Sequence, residues 1–335
     1  MAVDRRKFSL GLVLALTAAC STGVQGRAEP AGGWWRLYKQ RFLDRSGRIF
    51  DTGNGGISHS EGQGYGMVLA ALSNDPAAFA AMARWTEATL AVPGDELYAW
   101  RYDPRQPNPV SDPNNATDGD MLIAWALALA GKSWNNSAYL ERSNQLRAAI
   151  LRDCVVERFG RQLLLPGRLG FASPSEVKVN PSYYIWPALD AFARLDGAGT
   201  WGGVIVSGEA LLRQARFGPL HLPCDWVSLT GPSAVAPARD KPPRFGFDAI
   251  RIPLYAHMGG RAALAGDCVN WWRSVMAQRR PIPAWIDVVT GEEAPYAVSN
   301  GGAAIVARLT GSAAPIQLDN DYFAASLQML SATRL

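Results

Sequence analysis

The sequence predicts an all-α protein with short β-hairpins in its loops. Apolar residues recur at helical spacing, as in the series Trp201, Val204, Ile205, Gly208, Leu212 and Ala215. Only two segments, RQLLLPGR (161–168) and PAWIDVVTGEE (283–293), have the composition of short strands. The 335 residues are 48% hydrophobic and 19% charged, which is typical of a globular protein with a sizeable core. A helical globular fold follows.

The predicted helices come in successive pairs along the chain. They cover 34–43, 60–72, 76–90, 118–131, 137–156, 182–195, 201–215, 252–259, 262–277, 301–310 and 323–330. Long loops rich in glycine, proline and asparagine are predicted at 91–117 and 218–249. No low-complexity linker divides the chain, so residues 27–335 are predicted to form a single domain.

The N-terminal segment, residues 1–26, has the features of a signal peptide. Arg5, Arg6 and Lys7 precede the apolar run FSLGLVLALTAA, which is too short to span a bilayer. The paired arginines resemble a twin-arginine export signal. The sequence LTAAC, ending at Cys20, loosely resembles a lipoprotein processing site, which would anchor the protein to a membrane through lipid. We therefore expect export to the periplasm or beyond the cell.

Charge and cysteine content exclude two classes of protein. The net charge is only +4, and the basic residues are scattered among acidic ones, so no nucleic-acid partner is expected. Cys154, Cys224 and Cys268 remain after the leader, and these three cysteines allow at most one internal disulfide. The fold is therefore not a disulfide scaffold.

The segment SEGQGYGM begins the helix predicted at 60–72. Ser60 and Gln63 have the spacing of a capping box, and Glu61 follows directly. Three glycines, Gly62, Gly64 and Gly66, stand in the first turns, although each costs about 1 kcal/mol relative to alanine in a helix. Either tight helix packing or the close approach of a ligand explains them. Their G-x-G-x-G spacing does not match a dinucleotide-binding turn.

Two further segments place carboxylates at predicted helix starts. In NNATDGDMLIAWALALA, Thr117 is predicted to cap a helix with Asp120 in the capping-box position, and Asp118 lies between them. In FDAIRIPLY, a proline tolerated only in a first turn places Asp248 at a helix start beside Arg251. Each case alone is explained by the helix dipole or by a local ion pair. A ring of helices, however, would bring all these carboxylates to one rim.

These three segments resemble family 8 of the glycoside hydrolases. The resemblance runs from about residue 34 to the C-terminus and implies an (α/α)6 barrel that hydrolyses β-1,4-glycans with inversion. It implies that Glu61 is the proton donor, that Asp248 is the general base, and that Asp118 holds the distorted sugar. It also implies that no metal or cofactor is required. The substrate would be a β-1,4-glucan, cellulose or cello-oligosaccharides, with a functional link to cellulose synthesis.

The assigned chemistry conflicts with the position of Glu61. A helix N-terminus favours an ionised carboxylate, whereas a proton donor must be protonated. We expect burial or a second carboxylate, with Asp118 as the candidate, to raise the pKa of Glu61. In this interpretation a glucan chain pressed against the helix explains its glycines.

Aromatic residues in polar loops are the predicted substrate contacts. Of the 12 tryptophans, Trp100 in YAWRYD and Trp186 in NPSYYIWP are predicted to bind the sugar chain. Tyr183, Tyr184 and Arg251 are predicted as supporting contacts. Within the same family, xylan, lichenan or chitosan would be alternative substrates, and a catalytically silent glycan-binding barrel is an alternative from another class. The three histidines, His59, His221 and His257, are isolated, which argues against a metallohydrolase, and no G-x-S-x-G serine-hydrolase motif is present.

Overall fold

The computed structural model describes residues 31–333, and about half of these residues lie in helices. The predicted leader and Cys20 lie outside these residues. The α-helices in the described part are α1 (Ala31–Phe42), α2 (Ser60–Leu72), α3 (Pro76–Leu90), α4 (Thr117–Ser133), α5 (Ser137–Asp153), α6 (Trp186–Asp196), α7 (Ala198–Gln214), α8 (Arg251–Met258), α9 (Gly266–Ala277), α10 (Asn300–Thr310) and α11 (Tyr322–Ala332).

Six of these helices form a closed inner ring. Helix α2 packs on α4, α4 on α6, α6 on α8, α8 on α10, α10 on α11, and α11 returns to α2. Helices α2, α4 and α11 are buried over nearly their whole length, as expected of inner helices that are apolar on all sides. Residues at or just before the first turn of the ring helices border one cleft. The ring therefore gathers its helix N-termini at one rim.

Five outer helices cover this ring. Helix α3 packs on α2, α5 on α4, α7 on α6, α9 on α10 and α1 on α11. Between α10 and α11 the chain returns to the rim through residues 311–321, which form no helix. Pro315 within this segment disfavours one. The architecture is an (α/α)6 barrel in which one outer position is taken by irregular chain.

The N-terminal and C-terminal parts of the described chain meet where α1 contacts α11 and the segment before it. The Tyr38 hydroxyl lies 2.9 Å from the Ser326 hydroxyl. The Arg41 guanidinium donates to the carbonyl of Leu318 at 2.7 Å and to that of Asp319 at 3.0 Å. These contacts close the ring between residues far apart in the chain.

Short strands lie in the loops, as predicted. They are β1 (Ser58–His59), β2 (Arg101–Tyr102), β3 (Val155–Arg158), β4 (Arg161–Leu164), β5 (Val177–Val179), β6 (Val227–Leu229), β7 (Val235–Pro237), β8 (Arg244–Phe245) and β9 (Ile286–Asp287). Strands β3 and β4 form a hairpin, β1 pairs with β2, and β8 pairs with β9. The three-stranded sheet β5–β6–β7 was not predicted, and much of it lies in the segment interpreted as a loop at 218–249.

Some predicted helices differ in their bounds. The segment 182–195 is not one helix: a 3₁₀ turn spans Pro181–Tyr183, and α6 begins at Trp186 because Pro187 is tolerated only in a first turn. The helix predicted at 137–156 ends at Asp153, and its last residues enter β3. The first residues of 262–277 form a second 3₁₀ turn, Ala262–Ala265.

Two other properties concern the described residues as a whole. Cys154, Cys224 and Cys268 are all buried and free, so no disulfide joins them. Among the helices of residues 31–333, none combines the length and apolar character needed to cross a membrane.

Candidate active site

A buried arginine, Arg251, contacts the three carboxylates that line the cleft but does not line the cleft itself. It belongs to the first turn of α8, and its side chain is 1% exposed. Its Nη1 donates to Glu61, and to Asp118 Oδ2 at 3.1 Å. Its Nη2 donates to Asp248 Oδ1 at 2.5 Å. The three carboxylates predicted from separate segments therefore meet on one guanidinium.

The helix glycines allow α2 and α4 to approach closely. A Cβ on Gly64 would lie 2.5 Å from the Leu122 Cβ, and one on Gly119 would lie 2.7 Å from the backbone nitrogen of Glu61. A Cβ on Gly62 would contact Tyr322, and one on Gly66 would contact Met82 and Ile49. The glycines thus face neighbouring elements, and the interpretation that a glucan chain needs their space is wrong. Close helix packing brings Glu61 and Asp118 together.

Neither predicted capping box forms. Ser60 and Thr117 are the first residues of their helices, and the N-cap residues His59 and Ala116 make no side-chain caps. The Gln63 side chain turns away from the helix start: its Oε1 accepts from the backbone of Ile49, and its amide donates to Thr86. The motif spacing marked the helix starts correctly, but these side chains serve the packing of the barrel.

Asp120 also has a role other than capping. Its Oδ1 accepts from the backbone nitrogen of Tyr98 at 3.0 Å, and its Oδ2 accepts from Asn115 Nδ2 at 2.8 Å. Burial raises the pKa of Asp120 to about 7. Asp120 thus ties the segment ahead of Trp100 to α4.

The carboxyl groups differ in their exposure to water. The Asp118 side chain is 4% exposed, that of Glu61 18% and that of Asp248 32%. Burial raises the pKa of Glu61, against the opposing charge of Arg251, and the nearby charge of Asp248 raises it further. Burial and the charge of Glu61 raise the pKa of Asp118 to about 8. The expected burial effect on Glu61 is present, but Asp118 acts on Glu61 as a hydrogen-bonding partner that lowers its pKa.

Two of the predicted aromatic contacts line the cleft. Trp100 and Tyr183 border a cavity of about 150 Å³ together with Asp118 and Asp248. Trp100 Nε1 donates to Asp112 Oδ2 at 2.8 Å, which fixes the orientation of the indole. The Tyr183 ring lies 5.7 Å from the Arg251 guanidinium. Both rings are thus held beside the carboxylates.

The other two predicted aromatic contacts lie in the core. Tyr184 and Trp186 are each 1% exposed and stack on one another with ring centroids 5.7 Å apart. Their neighbours are the glycines Gly208 and Gly259, and Arg261 lies 4.8 Å from the Trp186 ring. The expectation that they contact substrate is wrong because neither ring is open to the cleft. Polar neighbours in sequence did not reveal which way these side chains face.

The cleft continues past Glu61 into a larger cavity of about 630 Å³. Tyr322 and the exposed Phe247 line it. His59 lies in β1 and lines both cavities. Its ring stacks against Tyr322 at 6.3 Å, and its Nε2 lies 3.3 Å from Asp51 Oδ2. Sequence analysis missed Tyr322 and Phe247, although Phe247 directly precedes Asp248.

A metal site is not apparent in residues 31–333, where no three His, Cys, Asp or Glu side chains are grouped suitably to hold an ion. The site is thus a groove in which Asp118 is the most buried carboxyl group, Glu61 is mostly buried, and Asp248 is the most exposed to water.

Comparison with known proteins identifies the family. The model of the glycosyl hydrolases family 8 matches residues 2–333. The chain belongs to this family. It is 44% identical over 272 residues to an endoglucanase from Cellulomonas uda, covering 81% of this chain and 75% of that one.

Solved structures of family members share the fold. An endoglucanase of family 8 from Klebsiella pneumoniae is 43% identical with a TM-score of 0.85, covering 89% of this chain and 97% of that chain. An endo-β-1,4-glucanase from Acetobacter xylinum is 35% identical with a TM-score of 0.85, covering 91% and 97%. The resemblance seen in the three motifs and the (α/α)6 fold are both confirmed.

Proposed function

We propose that this chain is an endo-β-1,4-glucanase that hydrolyses internal bonds of cellulose and related glucans with inversion. The observation that carries the proposal is the Arg251 centre, which holds Glu61, Asp118 and Asp248 together in an open groove. Family 8 enzymes invert the anomeric carbon. Inversion needs an acid on one side of the bond and a base with a water on the other.

The environments of the carboxylates suit a division of roles. Glu61 is mostly buried and has a raised pKa, so it can hold the proton that passes to the glycosidic oxygen as the C1–O bond breaks. Asp248 is the more exposed group, so it can accept a proton from the water that attacks C1. One turnover leaves Glu61 ionised and Asp248 protonated, and exchange with solvent restores both.

Asp118 and the aromatic residues serve the substrate. Asp118 shares Arg251 Nη1 with Glu61 and lines the smaller cavity, where it can hold a hydroxyl of the sugar beside the scissile bond. Trp100 and Tyr183 offer flat amphipathic rings to sugar faces. The substrate is a β-1,4-glucan, and a functional link to the cellulose-synthesis machinery belongs to the same proposal.

Release of reducing sugar from carboxymethylcellulose tests this function. We expect activity that EDTA does not diminish, because the proposed chemistry uses only side chains. Glu61→Gln should reduce turnover by about 10²–10⁴-fold through the loss of one proton transfer. Glu157→Gln, the same change on an exposed strand residue, is the matched control and should leave turnover unchanged.

Other outcomes would overturn parts of the proposal. Binding of cello-oligosaccharides without cleavage would make the chain a silent glycan-binding barrel. Faster cleavage of xylan, lichenan or chitosan than of carboxymethylcellulose would make the chain a xylanase, a lichenase or a chitosanase instead. Near wild-type turnover of Glu61→Gln would remove Glu61 from the mechanism.

Export is also proposed, from the features of residues 1–26. The mature protein is then the catalytic domain within 27–335, in the periplasm or outside the cell, with lipid attachment at Cys20 as a variant of the same route. Mass spectrometry of protein from the native host should find a mature N-terminus after a segment ending near residues 19 to 26. An intact Met1 in a cytoplasmic fraction would contradict export.

A further inference from the structure

Another carboxylate, Asp225, contacts the backbone around the proposed base. Asp225 lies two residues before β6. Its Oδ1 accepts hydrogen bonds from three backbone nitrogens: Gly246 at 3.1 Å, Asp248 at 3.2 Å and Ala249 at 2.7 Å. One carboxylate oxygen thus binds the whole turn that carries Asp248.

Asp225 is itself held firmly. Its backbone nitrogen donates to the Arg244 carbonyl at 2.8 Å. The residues on either side of this segment, Cys224 and Val227, are fully buried in the core. The carboxylate therefore stands on a segment whose neighbouring side chains are anchored in the core.

Gly246 leaves space for the second oxygen of Asp225. A Cβ at Gly246 would lie 2.7 Å from Asp225 Oδ2, and the other atoms that it would meet also belong to Asp225. Gly246 is not among the residues with positive φ, so the backbone conformation there does not require glycine. The contact with Asp225 is the constraint.

The proposed base is thus fixed at two points. Arg251 binds the Asp248 side chain, and Asp225 binds its backbone. We infer that Asp225 is a positioning residue, which sets the place of the Asp248 carboxylate relative to Glu61 by holding the turn from Gly246 to Ala249. This inference rests on the proposed role of Asp248 as general base.

The physical reason is the short reach of proton transfer. A general base must lie about 2.6–3.2 Å from the group that it deprotonates. A displacement of about 1 Å can cost on the order of 10²-fold in rate. The carbonyls of the turn accept backbone hydrogen bonds from the start of α8, but its backbone nitrogens at Gly246, Asp248 and Ala249 donate to Asp225. Loss of Asp225 would therefore leave these three donors without that partner and loosen the turn.

Kinetics of Asp225→Ala and Asp225→Asn test the inference. We expect Asp225→Ala to lower kcat by about 10²-fold with little change in KM, because the sugar contacts remain while the base is displaced. Asp225→Asn keeps an oxygen that can accept the backbone bonds and should retain most of the activity. Wild-type kcat in Asp225→Ala would overturn the inference.

A double variant separates positioning from general structural support. If Asp225 acts through Asp248, its removal should cause no further loss in Asp248→Ala assayed with azide as the nucleophile. An equal loss in both backgrounds would show a merely structural role and overturn the inference. Near wild-type activity of Asp248→Ala alone would instead refute the proposed base, so the two failures are distinguishable.

Two other variants complete the experiment. Asn136→Ala is the control: it removes a side-chain oxygen that accepts hydrogen bonds from the backbone of Ala138 and Tyr139. This site lies beyond the far end of α4, about 25 Å from the cleft, so the change should leave kcat unchanged.

Gly246→Ala tests the same inference if Asp225→Ala fails to fold. Its methyl group would lie 2.7 Å from Asp225 Oδ2 and displace that carboxylate, so we expect a smaller fall in kcat in the same direction. Wild-type kcat in Gly246→Ala would again contradict the inference.

Discussion

Arg251 carries one positive charge, yet three carboxyl groups contact it. Three ionised groups around one guanidinium would leave a net charge of about −2 in a largely buried site, which is costly. The raised pKa values of Glu61 and Asp118 relieve this imbalance, because a proton is retained between them. The same arrangement keeps available the proton that the general acid must donate to the glycosidic oxygen.

Replacement of Asp248 and Asp118 should give different chemical phenotypes. Asp248→Ala should lose activity that azide partly restores, because a small anion can take the place of the activated water. Asp118→Ala should lose activity that azide does not restore, because its proposed role is to grip the sugar. Rates measured with and without azide distinguish the two variants.

Product stereochemistry tests the same division of roles. Proton NMR of fresh wild-type product should show the α-anomer first. A co-crystal structure should place the Glu61 and Asp248 carboxyls about 6.5–9.5 Å apart, the spacing of inverting enzymes. The β-anomer first would mean a retaining mechanism, with Asp118 as the better nucleophile candidate.

At the residue scale, sequence could locate groups but not always their orientation. The cleft carboxylates were predictable because each stands at a helix start within a recognisable motif. Tyr184 and Trp186 were misassigned because polar neighbours in sequence do not show that Gly208 and Gly259 receive these rings in the core. Asp225 gave no signal, because its hydrogen bonds are made to backbone far along the chain.

Among the structural elements, helices α2 and α4 pack closely against each other beside the site. Gly64→Ala would place a methyl group 2.5 Å from the Leu122 Cβ, an atom that cannot move without the backbone of α4. We expect the free energy of unfolding to fall by about 1–3 kcal/mol, as for overpacked cores. Chemical denaturation would measure the change.

Gly202→Ala is the matched control for that substitution. Gly202 also lies inside a helix, α7, but nothing stands within 4 Å of a Cβ there. The change should stabilise the protein by about 0.4–1 kcal/mol, since alanine restricts the unfolded chain. Equal effects at both positions would mean that helix propensity, and not packing against α4, governs Gly64.

Helices were predictable as elements because apolar periodicity is local. The inner helix α2 was predicted with its observed bounds, Ser60–Leu72. The sheet β5–β6–β7 was missed because its strands have only three residues each, and because β5 pairs with β6 far along the chain. Strands this short leave almost no alternation for a sequence pattern to reveal.

For the molecule as a whole, buried acids dominate the predicted response to pH. Burial raises the pKa of Asp118 to about 8 and those of Asp120 and Asp225 to about 7. The folded state therefore binds more protons than the unfolded state between pH ~4 and pH ~8, and stability falls as pH rises through this window. Each group contributes up to about 1.4 kcal/mol per pH unit.

Urea unfolding at pH 5 and pH 7.5 would measure this dependence. We expect a lower free energy of unfolding at pH 7.5, and a smaller difference between the two conditions in Asp118→Asn, which lacks one of the titrating groups. A wild-type protein at least as stable at pH 7.5 would contradict this prediction, because acids with lowered pKa values, such as Asp51 and Asp75, are ionised in both states at the two conditions and cannot offset the change.

The closure of the ring through Tyr38 and Ser326 also has a consequence for the order of folding. These residues are 288 positions apart, and Arg251 is 190 positions from Glu61. Helix pairs such as α4 and α5 join neighbours in sequence and can form early, whereas contacts across such long loops form late. The arginine centre therefore assembles only as the chain completes its circuit. During refolding, we expect the helical circular dichroism signal to recover before enzymatic activity does.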